Sequence, residues 1–128
     1  MTEKQLNALG KGEVIYDYEN DLLSFKVKNR DYLKSIDFDN IVVDIDTEGF
    51  ITGLRVFDAT KIFKMEKLTL KNIKHFEFNA KVEDKIISLQ LRFTTELRNK
   101  ISVMHGQDFI REAINSQIKD SEVQCTVA

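Results

Sequence analysis

A chain of 128 residues with a formal net charge of −2 and a sequence pI near 5.7 carries no basic excess. Nucleic-acid binding draws most of its affinity from phosphate neutralisation, so a nucleic-acid partner is not expected. Hydrophobic residues make up 42% and charged residues 31%, which excludes a disordered chain and suits one compact unit.

Nine Phe and three Tyr can fill a core without metals or disulfides. Cys125 is the only cysteine, so no intrachain disulfide can form, and a reducing, cytoplasmic setting fits. Met1–Gly12 is too polar for a signal peptide, and no apolar run approaches the roughly 18 residues of a membrane span. No membrane association is expected.

In chain order, Thr2 is placed to cap a short helical turn with Leu6 and Leu9 on one side, closed by Gly10 and Gly12. Val14, Tyr16 and Tyr18 then alternate with polar or smaller neighbours at the period of a strand. Glu19–Asp21 turns the chain, and Leu23, Phe25 and Val27 form the return strand. After a turn at Asn29–Asp31, a weaker strand covers Tyr32–Phe38.

Ile41, Val43 and Ile45 mark the buried side of the next strand, which meets Phe50–Phe57 through a hairpin loop of Thr47, Glu48 and Gly49. Gly49 is expected to take the left-handed conformation that closes such a loop. The apolar phase slips in the return strand, and a β-bulge at Gly53 restores it. Asp58 is read as the cap of a short helix holding Ile62, Phe63 and Met65. Met65–Ile73 reads equally as helix or loop.

A second hairpin has clearer alternation. Phe76, Phe78, Ala80 and Val82 lead out, and Ile87, Leu89, Leu91 and Phe93 return after Glu83–Lys85. Arg98–Lys100 turns into a short strand at Ile101–Met104. Asp108 then caps a predicted helix in which Ile110, Ile114 and Ile118 recur at i+4, and Val123, Cys125 and Val127 form a last edge strand. Residues 1–66 thus form one hairpin half, and 67–128 a second hairpin plus C-terminal helix, packed as one compact unit. Glu19–Val27 resembles Glu83–Leu91 at an offset of 64 residues, a likeness that any two amphipathic hairpins share and that a duplication into a fused pair of half-domains would also give.

Asp44, Asp46 and Glu48 fall at positions one, three and five of a calcium-loop pattern, with Gly49 at six and Ile51 at eight. The pattern then fails, because position twelve is Arg55 rather than a bidentate Glu, and the flanks read as strands. An acidic hairpin tip is the better reading. Asp37, Asp39, Asp44 and Asp46 lack an apolar pocket to raise one carboxyl for acid–base work. Lys26, Lys28 and Arg55 suit cross-strand charge pairs of about 0–1 kcal/mol each. The lysines of Lys61–Lys74 come singly between apolar residues and read as a solvated face. His75 and His105 have no metal ligands at suitable spacing, Cys125 has no adjacent activator, and the Phe and Tyr residues sit at core phase rather than on a base-stacking platform.

Tyr16-Asp17, Asp21-Leu22-Leu23, Ile41-Val42-Val43-Asp44-Ile45-Asp46, Gly49, Ile51, Gly53-Leu54 and Asp58-Ala59-Thr60 carry a resemblance. Through them Val14–Thr60 resembles the domain-of-unknown-function family numbered 2283, small proteins of bacteria and archaea. Arg55 departs from it where an acidic residue is common, and Phe50 where a polar turn residue is. The resemblance implies a hairpin-built fold and no established activity. It also implies an antitoxin-like partner of a small toxin as one alternative, since some members are thought to stand beside ribonuclease-like toxins.

The fold expected is α+β, mainly antiparallel β-hairpins forming a sheet with short covering helices. The function expected is a non-enzymatic protein-interaction module, homodimeric through a sheet edge or its uncovered face, with no catalytic, cofactor-binding or metal residues assigned. A small-molecule binder or minor enzyme in the second half, around His75, Arg92 and His105, is the other alternative.

Overall fold

Period-two alternation, clearest in the second half of the chain, is drawn with the rest of the strands into one sheet. The computed structural model describes residues 4–96, 102–114 and 117–127. Strands β1 (Lys4–Asp17), β2 (Leu22–Val27), β3 (Tyr32–Phe38), β4 (Ile41–Asp46) and β5 (Ile51–Val56) come first. Two five-residue helices follow, α1 (Ala59–Phe63) and α2 (Lys67–Lys71). The chain closes with β6 (Ile73–Glu83), β7 (Ile86–Glu96), β8 (Ser102–Glu112) and β9 (Ser121–Val127).

Among the described residues the strand order is β3-β4-β5-β2-β1-β9-β6-β7-β8. Every neighbouring pair is antiparallel except β1 with β9, which run parallel. Asp84 and Lys85 join β6 to β7 with φ of 50° and 66°, the primed two-residue turn that matches strand twist. Asp21, Asn29 and Asp39 adopt left-handed φ in the other turns, a conformation that short polar side chains tolerate best.

The core lies on one face. Phe25 from β2 stacks on Phe76 at 5.3 Å and leans on Phe78 at 4.6 Å, both from β6. Phe93 stacks on Phe76 at 5.7 Å and receives the edge of Phe63 from α1 at 5.4 Å. These contacts tie the first hairpins to the last ones. Truncating a buried Phe such as Phe76 to Ala costs about 3–5 kcal/mol, because neighbours fill only part of the void.

The helices cover less than expected. The hairpins appear as read, yet the molecule is a mostly antiparallel β-sheet in which α1 and α2 insert Phe63 and Leu70. The N-terminal helical turn is instead part of β1; Leu6 and Ala8 face Val123 and Cys125 of β9, while Leu9 is exposed. That neighbour arrives from the far end of the chain, so local pattern could not reveal it. Thr2 lies outside the described residues, as does the expected turn at Arg98–Lys100.

The C-terminal helix is also absent. Asp108 and Ile110 belong to β8, and Ile110 and Ile114 are each 67% exposed, so no apolar helical stripe is buried. A competing alternation won, with Val103, His105, Gln107, Phe109 and Arg111 turned inward against β7. Nor is β9 an edge: it lies between β1 and β6, and Cys125 is 1% exposed. The bulge sits one residue earlier than read, at Thr52, because Gly53 pairs with Asp44 while Ile51 pairs with Ile45. No helix among the described residues is long and apolar enough to cross a membrane.

Candidate functional site

The motif-bearing first half contains three polar nodes. Asp21 anchors the first. Its carboxylate accepts the Tyr16 hydroxyl at 2.7 Å, the Thr60 hydroxyl at 2.6 Å and the Thr60 N–H at 3.1 Å. Burial pushes this carboxyl up, but the Thr60 and Tyr16 hydrogen bonds outweigh it and hold it below the usual carboxylate range. Burial, then the bond to Asp21, pushes the Tyr16 phenol well above its ordinary value. Asp58, expected to cap α1, takes a left-handed conformation with no side-chain cap bond. Asp21 supplies the capping oxygens from the turn after β1, and its own carbonyl accepts from Ala59 N–H at 3.0 Å.

The second node closes the Gly49 hairpin. Asp46 is 1% exposed, and its Oδ1 accepts N–H bonds from Glu48 at 3.0 Å and Phe50 at 2.8 Å. Its Oδ2 accepts the Arg30 Nε at 2.8 Å, and Arg30 also bonds Glu48 and lies over the Phe50 ring. Asp46 is therefore spent on a guanidinium and two amides, at the position where the calcium-like spacing would need a cation ligand. Strands flank Gly49 on both sides, and its φ is +90°.

At the third node Asp44 Oδ1 accepts from Ser35 at 2.6 Å and from Arg55 at 2.8 Å. Arg55, the departure from the family pattern, thus pairs across β4 and β5. Its Nε is buried without a partner among the described residues. Asp37 accepts the N–H of Asp39 within the β3–β4 turn. Lys26 approaches Glu13 only at 4.0 Å, with Lys26 exposed and Glu13 half-buried. Lys67 and Lys71 flank the Tyr18 ring at 5.2 Å and 5.6 Å, so part of the basic segment is packed on an aromatic face.

His75, Arg92 and His105 do not converge. His75 points outward beside Glu77 at 3.7 Å, and Arg92 points outward to Asp108 at 2.8 Å. His105 turns to the inner face, where it bonds Thr95 at 2.9 Å and leans on Phe93 at 5.3 Å. Cys125 is likewise enclosed, and burial pushes its thiol up to about 11.

The nodes hold turns and strands in place; among the described residues the outer rim of β8 has no neighbouring strand. An edge strand presents a row of backbone donors and acceptors to any incoming strand, and folded proteins blunt such edges. At the opposite rim β3 is blunted: it spans seven residues, slips register between Tyr32 and Lys34, and Lys34 is tied to the Gln117 carbonyl. β8 pairs with β7 through eleven consecutive residues without a slip. Its outward face carries Met104 at 65% and Ile110 at 67% exposure, and its guarding charge Asp108 is held by Arg92. Sequence reading missed this edge because the isoleucine spacing masked the alternation; Met104, Gly106, Asp108 and Ile110 at every second position were the available signal.

A family described as "protein of unknown function (DUF2283)" matches residues 13–59, which take in the second and third nodes and all of the first except Thr60. A protein of Methanosarcina mazei provisionally named hypoxanthine phosphoribosyltransferase is 37% identical over 86 residues, 67% of this chain and 70% of that protein. An uncharacterised protein of Methanocaldococcus jannaschii is 33% identical over 91 residues, 70% of this chain and 78% of that one. The chain belongs to this family of proteins of unknown function. No solved structure matches the chain at comparable significance.

Proposed function

We propose that this chain is a protein-interaction module that works by strand addition at β8 and carries no chemical step of its own. One observation supports this reading above the rest: an eleven-residue, register-perfect rim strand with two exposed apolar side chains and no second neighbour among the described residues. Strand addition takes its affinity from backbone hydrogen bonds and its selectivity from alternate side chains, which are what β8 offers.

The name of the Methanosarcina mazei relative suggests phosphoribosyl transfer. Holding a phosphoribosyl group calls for a loop of backbone amides, usually glycine-rich and opening a helix. No two of the five glycines here are adjacent and none opens α1 or α2, so nothing observed favours that reading.

The test compares the wild-type chain with an Ile110→Lys variant, which places a charge on the rim without touching the core. Each is immobilised and exposed to native extract supplemented with free chain. Wild type should retain a protein, another chain or its own copy, that the variant loses. Identical retained sets would contradict the reading.

A further inference from the structure

Resting on the β8 docking reading above, we infer that the strand received is β8 of a second copy, antiparallel about a two-fold axis at Gln107. Eleven residues centred there give full-length pairing, and an isologous contact of this kind is the commonest route to a dimer. Met104 then faces Ile110 of the second copy, and Ile110 faces its Met104, so the two most exposed apolar groups of the strand cover one another. Moving the axis by one residue sets Met104 against Asp108 or Glu112 instead, an apolar side chain against a carboxylate. Moving it by half a residue sets inward side chains against outward ones. The register at Gln107 is the one the side chains tolerate.

Charge complementarity supports the same register. The Arg92 guanidinium lies across Gly106, where an added Cβ would stand 3.1–3.2 Å from its Nη1, Cδ and Nε. The absent side chain lets Arg92 reach the rim. Its Nη1 donates to the Leu91 carbonyl and to Asp108 of its own chain, both at 2.8 Å, while Nε and Nη2 have no partner among the described residues. In the paired register Asp108 of the second copy lies opposite Gly106, directly in front of those donors. The axis repeats the contact, so each Arg92 meets two carboxylates and each Asp108 two guanidiniums.

The experiment is a charge swap read by sedimentation velocity over a range of concentrations, with circular dichroism showing that each chain is folded. Arg92→Glu alone faces a carboxylate in its own copy, and Asp108→Arg alone faces a guanidinium. Each should associate roughly tenfold or more weakly than wild type. An equimolar mixture restores opposite charges between chains while leaving the mismatch within each, so it should recover the dimer. A mixture no tighter than its components would overturn the register. A monomeric wild type that still retains an extract protein lost by Ile110→Lys would overturn self-pairing and leave β8 docking standing. A monomeric wild type with retention unaffected by Ile110→Lys would overturn both.

Discussion

Thr60 donates both its backbone N–H and its hydroxyl to the carboxylate of Asp21, thirty-nine residues earlier in the chain. The pair fastens α1 to the turn between β1 and β2, with Tyr16 completing the node. Asp21→Asn keeps the shape but loses the charge-assisted bonds, and should cost about 1–3 kcal/mol at neutral pH by denaturant unfolding. The sign of its pH dependence follows from the lowered folded pKa. The contribution is complete above the unfolded value near 4 and is lost as pH falls through the folded one. The stability gap between wild type and Asp21→Asn should therefore narrow below about pH 4. A gap constant from pH 7 to pH 3 would contradict the assignment.

Arg30 and Asp46 form the most deeply enclosed ion pair among the described residues, with Asp46 1% exposed. Arg30→Met leaves that carboxylate buried without its cation, and should cost about 3–5 kcal/mol. Asp46→Asn should cost less than Asp46→Ala, because its amide oxygen still accepts from Glu48 and Phe50. Thermal unfolding of the three variants ranks them.

Gly49 isolates backbone strain from packing. A Cβ there would meet nothing within 4 Å, but φ is +90°. Gly49→Ala should cost on the order of 1 kcal/mol, with Gly49→Asn milder because Asn tolerates positive φ. Equal stability of all three chains would remove the strain argument.

The hairpins were legible because their patterning is local. Leu23, Phe25 and Val27, or Phe76 through Val82, declare their buried side within a few residues, and Asp-Lys or Glu-Gly turns punctuate them. What escaped depended on distant partners. Leu6 and Ala8 are strand residues only because β9 pairs beside them. Ile110, Ile114 and Ile118 imitate a helix face, and only eleven ladder pairs with β7 decide for a strand. The helix α1 holds Ile62 and Phe63 as expected but stops before Met65, and Asp58 stands at its start without a side-chain bond, because the capping carboxylate is that of Asp21, distant in sequence and adjacent in space. Asp46 and Gly49 were read correctly as turn residues, although the Arg30 that pairs with Asp46 gave no signal of its own. The open edge escaped for the same reason as the false helix.

Amide hydrogen exchange along β8 tests the open edge most directly. Its alternate N–H groups, from Ser102 to Glu112, point away from β7 and are covered only when another strand arrives. Self-pairing predicts that these amides slow as protein concentration rises, while those of β7 do not change. Fast exchange at the rim-facing positions, the same at every concentration, would contradict it.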